Sequence, residues 1–308
     1  MRMNEAVLQL RNVTKTIGRR TIVNDLSFDI PAGEVFGFLG PNGAGKTTTI
    51  RMIVGLISMT KGEITVKGVS VRKQFEQAMT HIGAIVENPE MYKFLTGYQN
   101  LVHFARRHSG VTKQRIDEVV QLLGLQNRIH EKVKRYSLGM RQRLGVAQAI
   151  LHKPSVLILD EPTNGLDPAG IRELRDYLRK LSQEEGLSVI VSSHLLSEME
   201  LMCDRVAIIQ GGKLIDVRSL QEAKNSVQTK ILIESSDIES AHRLLSGAFN
   251  HQGVELIGDR IEITADRSLI PDVARLLVKA GLDVYGIHAA QRSLEDQFLE
   301  ITGGEMVV

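Results

Sequence analysis

Two hydrophobic rhythms divide the chain. Residues Val7 to Ile30 alternate apolar and polar positions around a turn-like Gly18-Arg-Arg20, which predicts an antiparallel strand pair leading into Pro31-Ala-Gly33. From Val35 the pattern changes to short unbroken apolar runs: Val35 to Leu39, His81 to Val86, Ser155 to Asp160, Leu187 to Ser192 and Arg205 to Gln210. Stretches of helical spacing lie among them, at Thr47 to Ile57, Arg172 to Gln183 and Leu195 to Met202. Apolar, β-branched strands alternating with helices predict a parallel sheet covered on both faces. Gly62 to Gly68 reads as a short strand between two glycines, and the Asn-Pro step makes Glu87 to Tyr92 a loop. Asn100 to Gln148 has helical periodicity without a convincing strand, so a mostly helical insertion is expected over about residues 88–150.

From about Val227 the style changes. Strands are expected at Thr229 to Glu234, Val254 to Ile257, Arg260 to Thr264 and Asp283 to His288, with helices at Ile238 to Phe249 and Leu269 to Ala280. The second helix carries an apolar stripe at Leu269, Ile270, Val273, Leu276, Leu277 and Ala280. The order is β-α-β-β-α-β, a split βαβ unit. The expected division is therefore a large α/β domain over residues 5–226 and a small α+β accessory domain over 227–308. No catalytic constellation is visible in the second, which reads as a regulatory or dimer-stabilising appendage.

Composition narrows the picture only a little. A length of 308 residues suits one large domain and a smaller one. The net charge of +2, with dispersed basic residues, gives no reason to expect nucleic acid as a partner. Cys203 is the only cysteine, which rules out an intrachain disulfide or a thiolate zinc cluster and fits a reducing compartment. The N-terminal stretch lacks the apolar core of a secretory signal, and no apolar run approaches the roughly 20 residues of a membrane span. Work at a membrane would therefore need spans supplied by another chain.

The chemistry concentrates after the first buried run. Gly40-Pro41-Asn42-Gly43-Ala44-Gly45-Lys46-Thr47-Thr48 follows a strand and opens a helix, matching the phosphate-loop pattern G-x-x-x-x-G-K-[ST]. Its glycines let successive amides converge on one anion, and the helix dipole points to the same place. Lys46 is expected to reach the β- and γ-phosphates, and the Thr47 hydroxyl to complete a Mg²⁺ shell. Downstream, the apolar strand Val156 to Leu159 ends in Asp160 and Glu161. A parallel strand delivers both to the sheet edge where the phosphate loop lies. Asp160 is expected to hold the metal and Glu161 to polarise the attacking water, a division of labour suited to hydrolysis.

Tyr136-Ser137-Leu-Gly139-Met-Arg-Gln-Arg143, shortly before the carboxylate pair, resembles the signature motif of the ATP-binding cassette (ABC) family. Ser137 is also a good helix N-cap, and Gly139 allows close approach of a phosphate. Gly165-Leu-Asp167-Pro168 resembles the family's interface-crossing loop, and Ser192-Ser-His194 its switch histidine. The resemblance covers residues 5 to about 225, with the motifs in the family's order. It implies a P-loop NTPase fold of the ABC type: a mixed core sheet, an antiparallel β subdomain and a helical insertion. It also implies that Ser137, Gly139 and Asp167 serve an ATP held by the opposite subunit, and that His194 contacts the γ-phosphate. Complete sites would then require a head-to-tail dimer, two ATP molecules and Mg²⁺.

The departures are informative. Leu138 and Met140 replace the commoner Gly and Gln of the signature, a variant that resembles cassettes of bacitracin and lantibiotic exporters, as does the tail Ser293 to Glu300. Glu87 stands where the family usually has Gln, and a carboxylate there can still touch Mg²⁺ or its water. The aromatic residue that stacks on adenine should fall near Ile17, which leaves aliphatic contact instead. The resemblance thus implies the ATPase subunit of an exporter for a peptide antibiotic or similar amphiphile. It would be cytoplasmic, held at the inner membrane face by an integral permease, with a second ATPase subunit, most simply another copy, as partner. Exposed Met91, Tyr92 and Phe94 would suit docking of a permease helix or, equally, pack the insertion against the sheet. A cassette ATPase acting on ribosomes or DNA is the alternative. Against it stand the single phosphate loop and an interval between the nucleotide motifs too short for long coiled coils. A GTPase is disfavoured by the lack of an N-K-x-D motif.

Overall fold

The computed structural model describes residues 6–220, 229–249 and 253–291. These fall into two compact units, one holding the described residues up to 220 and the other those from 229. The expected domain boundary at 226/227 and the tail Ser293 to Glu300 lie outside the described residues.

In the first unit, β1 (Ala6–Ile17) and β2 (Arg20–Pro31) form the expected antiparallel pair. The chain then enters β3 (Val35–Leu39), crosses the phosphate loop and forms α1 (Lys46–Ile53). The apolar periodicity predicts this helix to Ile57, but Gly55 adopts φ 72° and the Leu56 amide bonds the Arg51 carbonyl, so the helix closes early. β4 (Lys61–Val66) and β5 (Val69–Ser70) return to the first sheet, whose order is β2-β1-β4-β5. Helix α2 (Phe75–Thr80) leads to β6 (Ile82–Ile85).

The insertion is helical as expected, with α3 (Gly97–Ala105), α4 (Lys113–Leu122), a 3-10 turn at Val133–Arg135 and α5 (Leu138–Ile150). Helix α3 starts before the predicted Asn100 because Thr96 and Gln99 form a capping box. The core sheet resumes with β7 (Val156–Leu159), then α6 (Pro168–Glu185), β8 (Ser188–Ser193), α7 (Leu196–Met202), β9 (Arg205–Gln210) and β10 (Lys213–Ser219). Its order is β10-β9-β3-β8-β7-β6, parallel throughout except for antiparallel β10, a strand the sequence reading did not anticipate. Every residue of β3, β7 and β8 is buried, which explains their unbroken apolar runs.

Phe28 of β2 stacks on Phe36 of β3 at 5.9 Å between ring centroids and meets Phe38 edge-on at 5.6 Å, locking the antiparallel sheet to the core sheet. Such pairs add about 0.5–1.5 kcal/mol each beyond their buried area. Because β3, β7 and β8 run parallel and in register, Leu39 lies beside Ser193, and Leu159 beside Val191. The loops after these strands therefore leave one common edge.

The second unit contains β11 (Thr229–Ser235), α8 (Ile238–Ala248), β12 (Val254–Ile257), β13 (Arg260–Thr264), α9 (Ile270–Lys279) and β14 (Val284–Gln291). The sheet is antiparallel in the order β12-β13-β11-β14, giving the expected β-α-β-β-α-β arrangement. Val273 and Leu277 of the predicted α9 stripe are fully buried, whereas Ala280 lies past the helix end and is exposed. Among the described residues, no helix is long and apolar enough to cross a membrane.

Candidate nucleotide site

The loop after β3 is shaped by glycine. A Cβ on Gly40 would lie 2.0 Å from the Ile209 carbonyl oxygen, so only glycine lets the loop pass β9. Gly43 and Gly45 adopt φ 80° and 105°, the left-handed region open to glycine. The loop is pinned by the Ala44 amide on the Pro41 carbonyl (3.1 Å) and the Gly212 amide on the Ala44 carbonyl (3.0 Å). Pro41 is half-buried and Asn42 exposed along its rim. No side chain caps α1, so the first-turn amides of Lys46, Thr47 and Thr48 are open to an anion. Lys46 is 4% exposed; its Nζ donates to the carbonyls of Gly40 (2.7 Å) and Pro41 (3.2 Å) and lies 3.5 Å from Glu161 Oε1. Burial pulls its pKa below the ordinary value, with the charges of Glu161 and Asp160 opposing.

The carboxylates leave β7 at the same edge. Asp160 is buried, its amide tied to the Ile85 carbonyl at 3.0 Å. Its Oδ1 accepts from Ser192 Oγ (2.7 Å) and Thr47 Oγ1 (3.2 Å). Glu161 adopts φ 47°, unusual for a side-chain-bearing residue, and its amide donates to the same Ser192 Oγ at 2.8 Å. Its Oε2 meets Asn164 Nδ2 at 2.9 Å and His194 Nδ1 at 3.1 Å. Burial alone would push the Glu161 carboxyl up, but the Asn164 hydrogen bond and the neighbouring Lys46 and His194 outweigh it and hold the carboxyl below its usual range. The group is therefore ionised near neutral pH and able to accept a proton.

Lys46, Thr47, Asp160, Glu161 and His194 thus converge. The Thr47 hydroxyl beside the Asp160 carboxylate is a hard-oxygen set suited to Mg²⁺ that also binds substrate oxygens and water. Among the described residues no group of three or more His, Cys, Asp or Glu could hold a metal ion unaided. Glu87 adopts φ 68° and forms an ion pair with Arg51 of α1. Ile17, at the end of β1, is 57% exposed and offers an aliphatic surface.

Ser137, Gly139 and Asp167 form a separate cluster. Ser137 caps α5 by accepting from the Met140 amide (3.2 Å), and Asp167 caps α6 by accepting from the Gly170 amide (2.8 Å). A Cβ on Gly139 would lie 3.9 Å from Leu166 Cδ2, and one on Gly165 would lie 3.1 Å from Leu138 Cδ2, so the two cap regions pack together. No hydrogen bond among the described residues joins this cluster to Lys46, Thr47 or Asp160. Beside Leu138 a groove of about 520 Å³ is lined by Pro89, Met91, Lys93, Val133, Lys134 and Arg141, among others. Tyr92 and Phe94 are exposed, whereas Met91, expected to be exposed with them, is half-buried.

Sequence reasoning missed the residues that brace the site. Asn164 orients Glu161 from three positions downstream, and Ser192 ties both carboxylate positions to β8. Their only signals were an amide in the turn after Glu161 and a hydroxyl at the end of an otherwise apolar strand.

The chain is similar to known proteins along most of its length. The family model described as ABC transporter matches residues 23–164. An uncharacterised ABC transporter ATP-binding protein of Bacillus subtilis (strain 168), YhcH, is 56% identical over 97% of both chains. The bacitracin transport ATP-binding protein BcrA of Bacillus licheniformis is 39% identical over 97% of this chain and 98% of its own length. A solved ATP-binding subunit of an ABC transporter, 26% identical, superposes with a TM-score of 0.63 over 71% of this chain and 92% of that one. The chain thus belongs to the ABC transporter ATP-binding proteins, as a P-loop ATPase related to the bacitracin transport ATP-binding proteins.

Proposed function

We propose that the chain binds Mg²⁺·ATP between two copies arranged head to tail and uses its hydrolysis to power export of a peptide antibiotic or similar amphiphile through a separate membrane permease. The observation that carries the dimer is the division of the site into two clusters within one chain. Lys46, Thr47, Asp160, Glu161 and His194 line one side, and Ser137, Gly139 and Asp167, at the side-chain-capped N-termini of α5 and α6, form the other, which would face the ATP of a partner.

On this reading the β- and γ-phosphates settle on the open first-turn amides of Lys46, Thr47 and Thr48. Lys46 exchanges its contact with Glu161 for phosphate oxygens, one anion replacing another. Thr47 and Asp160 would hold Mg²⁺, which neutralises phosphate charge when bound. Glu161, released from Lys46 but kept in place by Asn164, takes the proton of the attacking water, while His194 faces the γ-phosphate. Glu87 is paired with Arg51 through Oε1, so its Oε2 is the oxygen that would join the metal's shell. Loss of the γ-phosphate removes the contacts of Ser137 and Gly139, and the dimer opens.

The exporter assignment draws on the bacitracin transport relatives, and the permease would dock at the groove beside Met91 and Leu138. On this reading the chain would work in the cytoplasm at the inner membrane face. Purifying the Glu161→Gln protein with ATP from gently solubilised membranes tests the assignment. A multi-span subunit in near-equal amount is the expected result; recovery with ribosomes or DNA instead would overturn the transporter reading.

A further inference from the structure

We propose that Glu198 is a positioning residue for ATP hydrolysis, fastening the loop that carries Glu161 to the loop that carries His194 through one carboxylate oxygen. Oε2 of Glu198 accepts from Thr163 Oγ1 at 2.8 Å and from Ser193 Oγ at 2.7 Å. Thr163 lies two residues after Glu161, and Ser193 immediately precedes His194. Both hydroxyl residues are buried, at 4% and 1% exposure, so neither can turn to water for an acceptor. Ser193 Oγ also accepts from the Leu195 amide at 3.0 Å, which holds the chain on the far side of His194.

The loops joined in this way belong to different strands, β7 and β8, with all of α6 between them. The 3.1 Å contact of Glu161 with His194 depends on their relative placement. Glu198 is suited to set it because α7 is itself anchored, with Leu196, Met199 and Met202 buried. Hydrogen bonds from hydroxyls to a carboxylate are about twice as strong as neutral ones, so a shared carboxylate holds two loops more firmly than separate neutral contacts would. Misplacement of a reacting group by ~1 Å costs on the order of a hundredfold in rate. Among the described residues, the hydrogen bonds of Glu198 go to Thr163 and Ser193, neither of which is assigned to nucleotide or metal.

This inference rests on the catalytic assignment of Glu161 and His194 above, so the test runs Glu161→Gln in parallel. In steady-state hydrolysis, Glu198→Ala is expected to lower kcat by about tenfold or more while KM for ATP stays within about threefold, since binding groups are untouched. Glu198→Gln keeps an oxygen that can accept from both hydroxyls and should retain at least about half of kcat. Thr163→Val and Ser193→Ala, each removing one arm, should fall between and remain informative should Glu198→Ala fail to fold. The proposal is overturned if Glu198→Ala keeps normal kcat, if Glu198→Gln is as impaired as alanine, or if both single-arm variants are unchanged. Normal hydrolysis by Glu161→Gln would instead overturn the catalytic assignment. Abolished hydrolysis there with normal Glu198→Ala would remove only the fastener.

Discussion

At the carboxyl edge of the core sheet the buried residues include Lys46, Asp160, Thr163, Ser192 and Ser193, whereas the second unit buries mainly aliphatic side chains such as Ile231, Ile233, Leu245, Ile263 and Leu277. The first region ties its buried polar groups together across separate segments, Lys46 to Glu161, Ser192 to Asp160, and Thr163 and Ser193 to Glu198 of α7. In the second, the buried Glu262 is matched by a single ion pair with Lys230. Desolvating polar groups is costly unless they are paired, so a region that does so repeatedly is selected for geometry rather than stability. The aliphatic core of the second unit is what folding alone requires.

Substitutions in the two regions should therefore be read out differently. The largest effect is expected for Glu161→Gln, which removes the proton acceptor: hydrolysis should fall by about 10²–10⁴-fold with ATP still bound. Retained turnover would remove Glu161 from the chemistry. Leu277→Ala, in the fully buried core of the second unit, should lower that unit's unfolding free energy by about 2–5 kcal/mol and leave ATPase activity unchanged. An equal loss of activity would mean that the two regions are not separable. Lys46→Ala should weaken ATP binding by about 10- to 100-fold, the worth of charge-assisted hydrogen bonds of about 1.5–3 kcal/mol, measured by titration with a fluorescent ATP analogue.

The smallest effect is a pH dependence. Because the folded protein holds the Glu161 carboxyl below its usual range, the ionised group contributes stability above the unfolded carboxylate pKa of about 4.3, and that contribution is lost as pH falls through the lower folded value. The difference in melting temperature between wild type and Glu161→Gln should thus stay level from pH 7 down to about 5 and shrink as pH falls below about 4.3. A constant difference would show that the surroundings of Glu161 do not favour its charged form.

The phosphate loop and the carboxylate pair were legible because their chemistry is local: glycines, a lysine and a threonine in one run, and two acids at the end of an apolar strand. The order of strands in the second unit was legible for a similar reason, since each is bounded by turn residues. Strand β10 was not, because at the sheet edge it lacks an unbroken apolar run and most of its residues are only half-buried. The Glu198 contacts were invisible because Thr163 and Glu198 are 35 positions apart and meet only once β7 and β8 are in register. Nor did the sequence reveal that Glu87 pairs with Arg51, which lies 36 positions earlier in the chain.

The division of the site between two copies is tested most directly by the mass of the Glu161→Gln protein with ATP and Mg²⁺, measured by gel filtration with light scattering. The account expects a dimer that reverts to monomer when ATP is removed, because the γ-phosphate bridges the Lys46 loop of one copy and Ser137 and Gly139 of the other. A monomer at saturating ATP would contradict it.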